Sequence, residues 1–565
     1  MSRFTAPLAT GSTNPHAPAD RSFAAAGQHL VGAAIAACTR FFALLFVPLL
    51  VLAATGCAAL PGSVVRQPST ALPAAGSALQ RIADHSLAGQ HATLTGLRLL
   101  PNGDHALDAR LALVQRAERS LDLQYYAWHD DGTGRQLLAA LRDAGRRGVR
   151  VRLLVDDLHT GALQPLLAGL AAHAHVEVRL FNPLPAREGS VAGRVLGSLH
   201  DFGRINHRMH NKLFIADGAL AVAGGRNIGD EYFMRSPVAN FVDLDVLAAG
   251  PVVTDMAAAF DRYWNSERSW PVHALAAPAA GAALRAQFDA AVAAAPRGQQ
   301  VEPLDRLGRS SVSVQLAAGR LDLLAAPVHL LIDAPDRQRC AEPDDRDPTA
   351  ATPCAAAEPG AVDALFAAMR ETRRELKITS PYFVPGADGM AMLQAVADRG
   401  ASIRLLTNSI GATDEPLVHW GYARHRPAML RLGMHIRELS PTLPARTLAF
   451  GSFGRSAARL HAKVVVMDGH RVALGSANMD GRSARINTEM LLLVDSPALA
   501  AELARLASAE ALAGSYRLRL GEGQRIEWLA NDGEAERTLT EEPGLDWAQR
   551  LKLGLLSLWI AEEQL

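Results

Sequence analysis

The chain has 565 residues, 49% of them apolar and 20% charged, which is too apolar for a disordered chain and long enough for more than one core. Lys+Arg and Asp+Glu balance at 57 each, so the zero net charge argues against a bulk nucleic-acid binder, while a local cationic cleft stays compatible with it. Only four of the 57 cations are lysine: Lys212, Lys377, Lys463 and Lys552.

Residues 41–55, FFALLFVPLLVLAAT, follow Arg40 and precede Gly56 and Cys57. A run of 15 residues interrupted by Pro48 is short for a spanning helix, which takes about 20. A basic residue, an apolar stretch and small residues before a cysteine resemble a bacterial lipoprotein signal, with Ala54-Thr55-Gly56-Cys57 as the lipobox. Residues 1–57 are thus expected to be a signal segment and Cys57 the lipidated residue. The protein would then be a lipoprotein of the bacterial cell envelope, facing the periplasm. An uncleaved anchor or a core helix is the alternative. Residues 58–90, rich in Ala, Pro, Gly and Ser, read as a flexible tether.

A repeated pattern follows. Residues 121–126 read as a strand, Gly134 to Arg147 as a helix with Leu137, Leu138, Leu141 and Ala144 on one face, and 149–157 as a second strand. Residues 376–383, about 390–399, and 402–409 repeat that order. Strands alternating with helices predict α/β layers on a largely parallel sheet. Two such units predict duplicated α/β/α lobes, one over 91–332 and one over 362–514. Between them lies an acidic, Pro-rich insert, 333–361, whose Cys340 and Cys354 could form a disulfide or remain thiols. The C-terminal extension, 515–565, places Leu551, Leu555, Leu558 and Trp559 at helical spacing and is expected to pack on the second lobe or meet a membrane.

The strongest repeat lies later in each unit. His210, Lys212 and Asp217 stand in HNKLFIAD, followed by Gly224-Gly225-Arg226-Asn227. His461, Lys463 and Asp468 stand in HAKVVVMD, followed by Gly475-Ser476-Ala477-Asn478. Each copy is HxKxxxxD with a G[GS]xN, and 17 residues separate His from Asn in both. In a strand alternate side chains share a face, so each His projects with its Lys, and the apolar run after it enters the core. Each Asn adds an amide donor for substrate. Facing copies would make a phosphodiester site, in which Lys and Asn hold the non-bridging oxygens. One imidazole would attack phosphorus and the other would protonate the departing alkoxide. A chain that otherwise writes Arg keeps Lys at both matching positions, where a compact ammonium differs from a forked guanidinium. Asp217 and Asp468, seven residues past each His, face away in a regular strand and are expected to satisfy turn amides. Asp243 and Glu489 could each orient an imidazole or form plain salt bridges. No His/Cys metal spacing appears, so neither metal nor cofactor is expected.

These paired motifs resemble those of the phospholipase D superfamily. Tyr125-Tyr126 with 130–134 (DDGTG), 380–386 (SPYFVPG), Thr407-Asn408-Ser409, Thr413-Asp414, His419, Gly421-Tyr422 and 482–489 (RSARINTE) are similar to its cardiolipin synthase branch. The resemblance implies two lobes related by a pseudo-twofold axis around one active site. It also implies catalytic roles for His210, Lys212, Asp217, His461, Lys463 and Asp468, and exchange through a phosphatidyl-histidine intermediate. By the same analogy His210 is the nucleophile and His461 the general acid, although the sequence also accommodates the reverse. The implied partners are phospholipids at a membrane surface, not nucleic acid. The implied reaction transfers a phosphatidyl group to phosphatidylglycerol, with hydrolysis to phosphatidic acid as the alternative. Trp128 and Ile410-Gly411 depart from the pattern and bear on substrate choice.

Overall fold

The computed structural model describes residues 59–62, 64–276, 279–296, 298, 300–337, 359–442, 456–507, 514–531 and 536–544. The signal segment with Cys57, the cysteines Cys340 and Cys354, and the stretch from Leu551 to Trp559 lie outside the described residues.

In the first half the strands are β1 (Thr95–Leu100), β2 (Ser120–Tyr125), β3 (Arg150–Asp156), β4 (Val176–Phe181), β5 (Leu213–Ala216), β6 (Leu220–Gly224), β7 (Ala239–Val242), β8 (Asp245–Ala249), β9 (Ser269–Pro271) and β10 (Leu324–Ala326). The second half has β11 (Val328–Ile332), β12 (Glu375–Thr379), β13 (Ser402–Asn408), β14 (His435–Leu439), β15 (Ala457–Leu460), β16 (Val464–Met467), β17 (Arg471–Gly475), β18 (Met490–Asp495), β19 (Ser515–Leu520), β20 (Ile526–Asn531) and β21 (Glu536–Leu539). Among the described residues one sheet runs β10-β1-β8-β6-β5-β2-β3-β4-β9 and another β11-β18-β17-β16-β12-β13-β14-β19-β20-β21. From β1 to β4 the first order repeats in the second from β11 to β14, strand for strand, so the duplication is complete through both cores.

The sheets are mixed, which corrects the expectation of a largely parallel one. In each, one three-strand run is parallel: β2-β3-β4 and β12-β13-β14. The apolar strand after each HxK instead returns through a tight turn as an antiparallel hairpin, β5-β6 and β16-β17. So short a connection cannot join parallel neighbours. The helix expected from Gly134 spans Gly132–Arg146, because the Asp131 side chain caps it by accepting from the Gly134 N–H at 2.8 Å. The strand expected over 376–383 ends at Thr379, since Pro381 has no N–H for a ladder.

Helices Gly103–Arg116 and Gly132–Arg146 cover the outer face of the first sheet through Leu107, Leu113, Leu137 and Leu141. Helices Ala361–Arg370 and Gly386–Asp398 cover the outer face of the second through Leu365, Met369 and Leu393. The inner faces share one core. Leu99, Ile215 and Val246 of the first lobe, and Val464, Val466 and Leu492 of the second, pack with helices Pro251–Trp264 and Pro497–Leu506. Each such side chain contributes about 1.5–3 kcal/mol on burial, so the lobes are joined by a core and not by surface contacts. No helix among the described residues is long and apolar enough to cross a membrane.

Two expected segments differ. The supposed tether is docked from Arg66 onward: the Ser69 and Ala71 N–H groups donate to Asn265 Oδ1 and Asp261 Oδ2 at 3.0 and 2.7 Å. A helix, Ala78–Ser86, then buries Leu79 and Ala83, which the Ala-rich composition concealed. In the C-terminal extension, β19-β20-β21 prolong the second sheet. The Glu542 carboxylate beyond them accepts from Arg426 at 2.8 Å and lies 2.7 Å from His419 Nε2.

Candidate active site

The site forms where the two lobes exchange backbone. Strand β7 of the first lobe pairs in parallel with β15 of the second, with Val242 opposite Leu460. The next side chains, Asp243 and His461, meet at 2.6 Å, Oδ2 to Nδ1. A second parallel bridge joins Met209 to Thr488. It brings Glu489 to His210, with Nδ1 3.0 Å from each carboxylate oxygen. The same register rule therefore acts twice: the residue before the histidine faces the residue before the carboxylate. Each imidazole is thus oriented by the opposite lobe, with Nδ1 engaged and Nε2 left for chemistry.

Both HxK segments sit just before their strands and not within them. Lys212 Nζ donates to the carbonyl of His210, and Lys463 Nζ to that of His461, each at 2.6 Å. Both lysines are buried. A slim ammonium fits between the two imidazole motifs, where a planar guanidinium with five donors would leave several unmet. Aromatic rings wall the imidazoles. Tyr126 lies edge-on to His210 at 4.9 Å and Tyr232 edge-on to His461 at 5.3 Å, with Phe241 also against His461 at 4.9 Å.

Electrostatics separate the two halves. Burial alone would raise the Asp243 carboxyl, but the His461 imidazole and Lys463 hold it below the ordinary carboxylate range. Burial pushes Glu489 up to about 7, against the pull of Lys212 and of the Ser476 and Ser483 hydroxyls. Burial, then the charges of Lys212, Lys463 and His461, drives His210 well below an ordinary imidazole. His461 is lowered by burial and Lys463, but the ionised Asp243 opposes that shift. Burial brings Lys463 down to about 8. His210 is therefore kept neutral, while at His461 the ionised Asp243 offsets part of the same lowering.

Asp217 and Asp468, named among the catalytic candidates, belong to the motif but are engaged away from the two imidazoles. Each sits in a turn at positive φ, 53° and 56°, at the far end of its hairpin. Asp217 accepts from the N–H groups of Glu118, Arg119 and Ser120 at 2.8–3.2 Å, and Asp468 from those of Arg373, Arg374 and Glu375 at 2.7–3.3 Å. Those residues enter β2 and β12, so each aspartate staples the hairpin to the neighbouring strand. Asn227 is also committed, as acceptor from the Ala127 N–H at 3.1 Å and donor to the Tyr232 hydroxyl at 3.1 Å. At most one of its amide hydrogens remains for substrate. Asn478 is buried beside the site, and its N–H donates to Ser483 Oγ at 3.2 Å.

The G[GS]xN difference has a local reason. A Cβ on Gly225 would lie 2.1 Å from Asp243 Oδ1, so no side chain fits there. The matching Ser476 hydroxyl donates to the longer Glu489. The pairing of glycine with aspartate and serine with glutamate was the signal in the sequence. Other supports carried no such signal. Asp156 accepts from the Met209 N–H at 2.9 Å, and Asn408 clasps Leu460 through both its N–H and C=O, at 2.8 and 2.9 Å. Asp333, expected to open a loose insert, accepts from the Glu489 N–H at 2.9 Å. No group of three or more His, Cys, Asp or Glu side chains among the described residues is arranged to hold a metal ion.

The family model described as "Cardiolipin synthase, PLD-like domain" matches residues 111–264 and 365–509. The chain is 38% identical to cardiolipin synthase C of Escherichia coli over 475 residues, covering 84% of this chain and 96% of that protein. It is 28% identical to cardiolipin synthase A of Pseudomonas fluorescens over 72% of this chain and 66% of that protein. The crystal structure of phosphatidylserine synthase from Haemophilus influenzae superposes with a TM-score of 0.53 at 11% identity, over 85% of this chain and 97% of that one, a likeness of fold.

Proposed function

This chain belongs to the cardiolipin synthase family of phospholipase D-like proteins, and from that premise we propose that it transfers a phosphatidyl group to phosphatidylglycerol through His210, forming cardiolipin. It is a phosphatidyltransferase by family. The observation that carries the finer reading is the pair of imidazoles, each held through Nδ1 by a carboxylate of the other lobe.

In the first step the neutral His210 Nε2 attacks the phosphorus of a phospholipid. The P–N bond forms, the P–O bond to the headgroup breaks, and His461 Nε2 gives its proton to the departing alkoxide. Lys212 and Lys463 balance the charge gathering on the non-bridging oxygens. In the second step neutral His461 takes the proton of a phosphatidylglycerol hydroxyl. That oxygen attacks phosphorus, the P–N bond breaks and His210 is restored. Asp243 stabilises the imidazolium at both stages. Water in place of the alcohol would give phosphatidic acid, so the outcome depends on how well the site excludes water. Lipidation of Cys57 would hold the enzyme at its substrate.

Purified protein incubated with phosphatidylglycerol, alone and with phosphatidylethanolamine, and read by lipid mass spectrometry tests this. Cardiolipin supports transfer, phosphatidic acid alone supports hydrolysis, and unchanged lipid refutes both.

A further inference from the structure

The loop between β13 and helix Pro416–Arg431 faces the site from the second lobe. Its Asp414 accepts from the Tyr382 hydroxyl at 2.7 Å, and the Asp414 charge is felt at Lys463 and at Tyr232. The charge of Glu415 reaches Tyr126 of the first lobe. Asp414 and Glu415 therefore stand at the cleft, although neither has a part in the two steps above.

The two lobes hold this place differently. In the first, β3 ends at Asp156, and the next residue pins the following loop from within. Asp157 is fully buried and accepts from the Leu184 N–H at 2.8 Å, from Arg187 at 3.0 Å and from Arg194 at 2.6 Å. In the second, β13 ends at Asn408 and the uncharged Ser409 follows. Support comes there from the C-terminal extension. After β21 the Glu542 carboxylate accepts from Arg426 at 2.8 and 3.1 Å and lies 2.7 Å from His419 Nε2, in the first turn of the helix. The His419 N–H closes that turn on the Glu415 carbonyl at 3.2 Å. Arg426 is braced in turn by Glu438 at 3.0 Å. Burial alone would raise the Glu542 carboxyl, but His419 and Arg426 bring it down to about 2, so the contact is ionised at neutral pH. Two glycines let backbone meet backbone beside it. A Cβ on Gly544 would lie 3.0 Å from Gly411 Cα, and one on Gly411 would lie 3.6 Å from Gly544 Cα.

We propose that residues 540–544, through Glu542 as a positioning residue, fix the 409–415 loop and so set how much of the phosphatidyl group passes to a lipid hydroxyl and how much to water. This rests on the transfer reading above. In either outcome the P–N bond to His210 breaks, the attacking oxygen bonds phosphorus and His461 takes its proton; only the nucleophile differs. A fixed Asp414–Tyr382 wall keeps the acceptor space closed to water, and a loosened one admits it.

The test compares Glu542→Gln and Gly544→Ala with the unaltered full chain on phosphatidylglycerol vesicles. Gly544→Ala reaches the same contact without touching the ion pairs. Released glycerol counts the first step, and the ratio of cardiolipin to phosphatidic acid reads the second. In both variants the ratio should fall at least about fivefold, the weight of one hydrogen bond. Glycerol release should stay within about twofold. An unmoved ratio, or glycerol release that falls as far as the ratio, overturns the proposal while cardiolipin from the unaltered chain leaves the transfer reading standing. If the unaltered chain makes no cardiolipin, the transfer reading fails and takes the partition with it. Hydrogen exchange reads the positioning without catalysis: amides of 409–415 should exchange faster in both variants while those of β13 stay protected. Unchanged exchange over 409–415 overturns the role of Glu542.

Discussion

Glu489 lies in the second lobe and His210 in the first, yet the carboxylate straddles His210 Nδ1 at 3.0 Å from both oxygens. The mirrored pair, Asp243 and His461, crosses in the opposite direction. Neither lobe alone carries an oriented imidazole, because each carboxylate comes from the opposite lobe.

The assignment of His210 as nucleophile predicts where a covalent adduct forms. His210→Ala should lower turnover by at least about a thousandfold. In His461→Ala, a phosphatidyl ester of p-nitrophenol leaves without acid help, so phosphatidyl-enzyme should accumulate. Peptide mass spectrometry should place the added mass on His210. An adduct that persists in His210→Ala and maps to His461 would reverse the roles.

Removing charge from the orienting carboxylate should cost catalysis more than folding. Asp243→Asn keeps shape and a hydrogen bond but removes the anion that supports the His461 imidazolium. The expected loss is about a hundredfold or more in kcat, with the melting temperature little changed. A kcat near that of the unaltered chain would show that Asp243 serves only the lobe interface.

The pH profile of kcat/KM should be a narrow bell. Glu489 takes up a proton as pH falls through about 7, and His210 then loses its carboxylate acceptor. Lys463 loses its proton as pH rises through about 8, and the phosphoryl oxygens lose a cation. Activity should therefore fall on both sides of the interval between these values. Lys463→Arg, charged throughout, should lower the maximum and reshape the alkaline limb, where Lys212, brought well below its ordinary value by burial, still loses its proton. A flat profile from pH 6 to 9, roughly two units wider than any such bell, contradicts this account.

The Ser476 hydroxyl donates to the Glu489 carboxylate and so favours its ionised form. Without that donor, in Ser476→Ala, the carboxyl holds its proton to higher pH. The acid limb should move upward while the alkaline limb stays. An unmoved acid limb would mean that Glu489 does not set it.

The motif aspartates should behave as structural groups. Asp217→Ala leaves the N–H groups of Glu118, Arg119 and Ser120 without their acceptor in a partly buried turn, a loss of about 1–2 kcal/mol. A lower melting temperature with kcat per folded molecule within about twofold is the expected result. A large fall in kcat at unchanged stability would return Asp217 to the chemistry.

Much of this was readable in the chain itself. The two HxKxxxxD copies with equal spacing, the lysines kept against a bias for arginine, and the aspartates facing away are all local facts. The paired α/β order was equally plain, because the apolar period of each strand and helix is set by residues near in sequence. The mixed sheet was less legible, since hairpin return and parallel crossover place the same apolar run in the same core. Docking of residues 66–86 was hidden by composition, because Ala, Pro and Ser also suit a tether.

What the sequence alone determined is the repeated part of the site: two histidines and two lysines in duplicate settings, written by spacing over fewer than 20 residues each. What only the tertiary structure decided is the pairing. Asp243 lies 33 residues from His210 and 218 from His461, and it serves the distant one. Sequence distance carries no information across a lobe interface. There the partner is chosen by strand register, Val242 beside Leu460 and Met209 beside Thr488, and that register is fixed by the core the two sheets share.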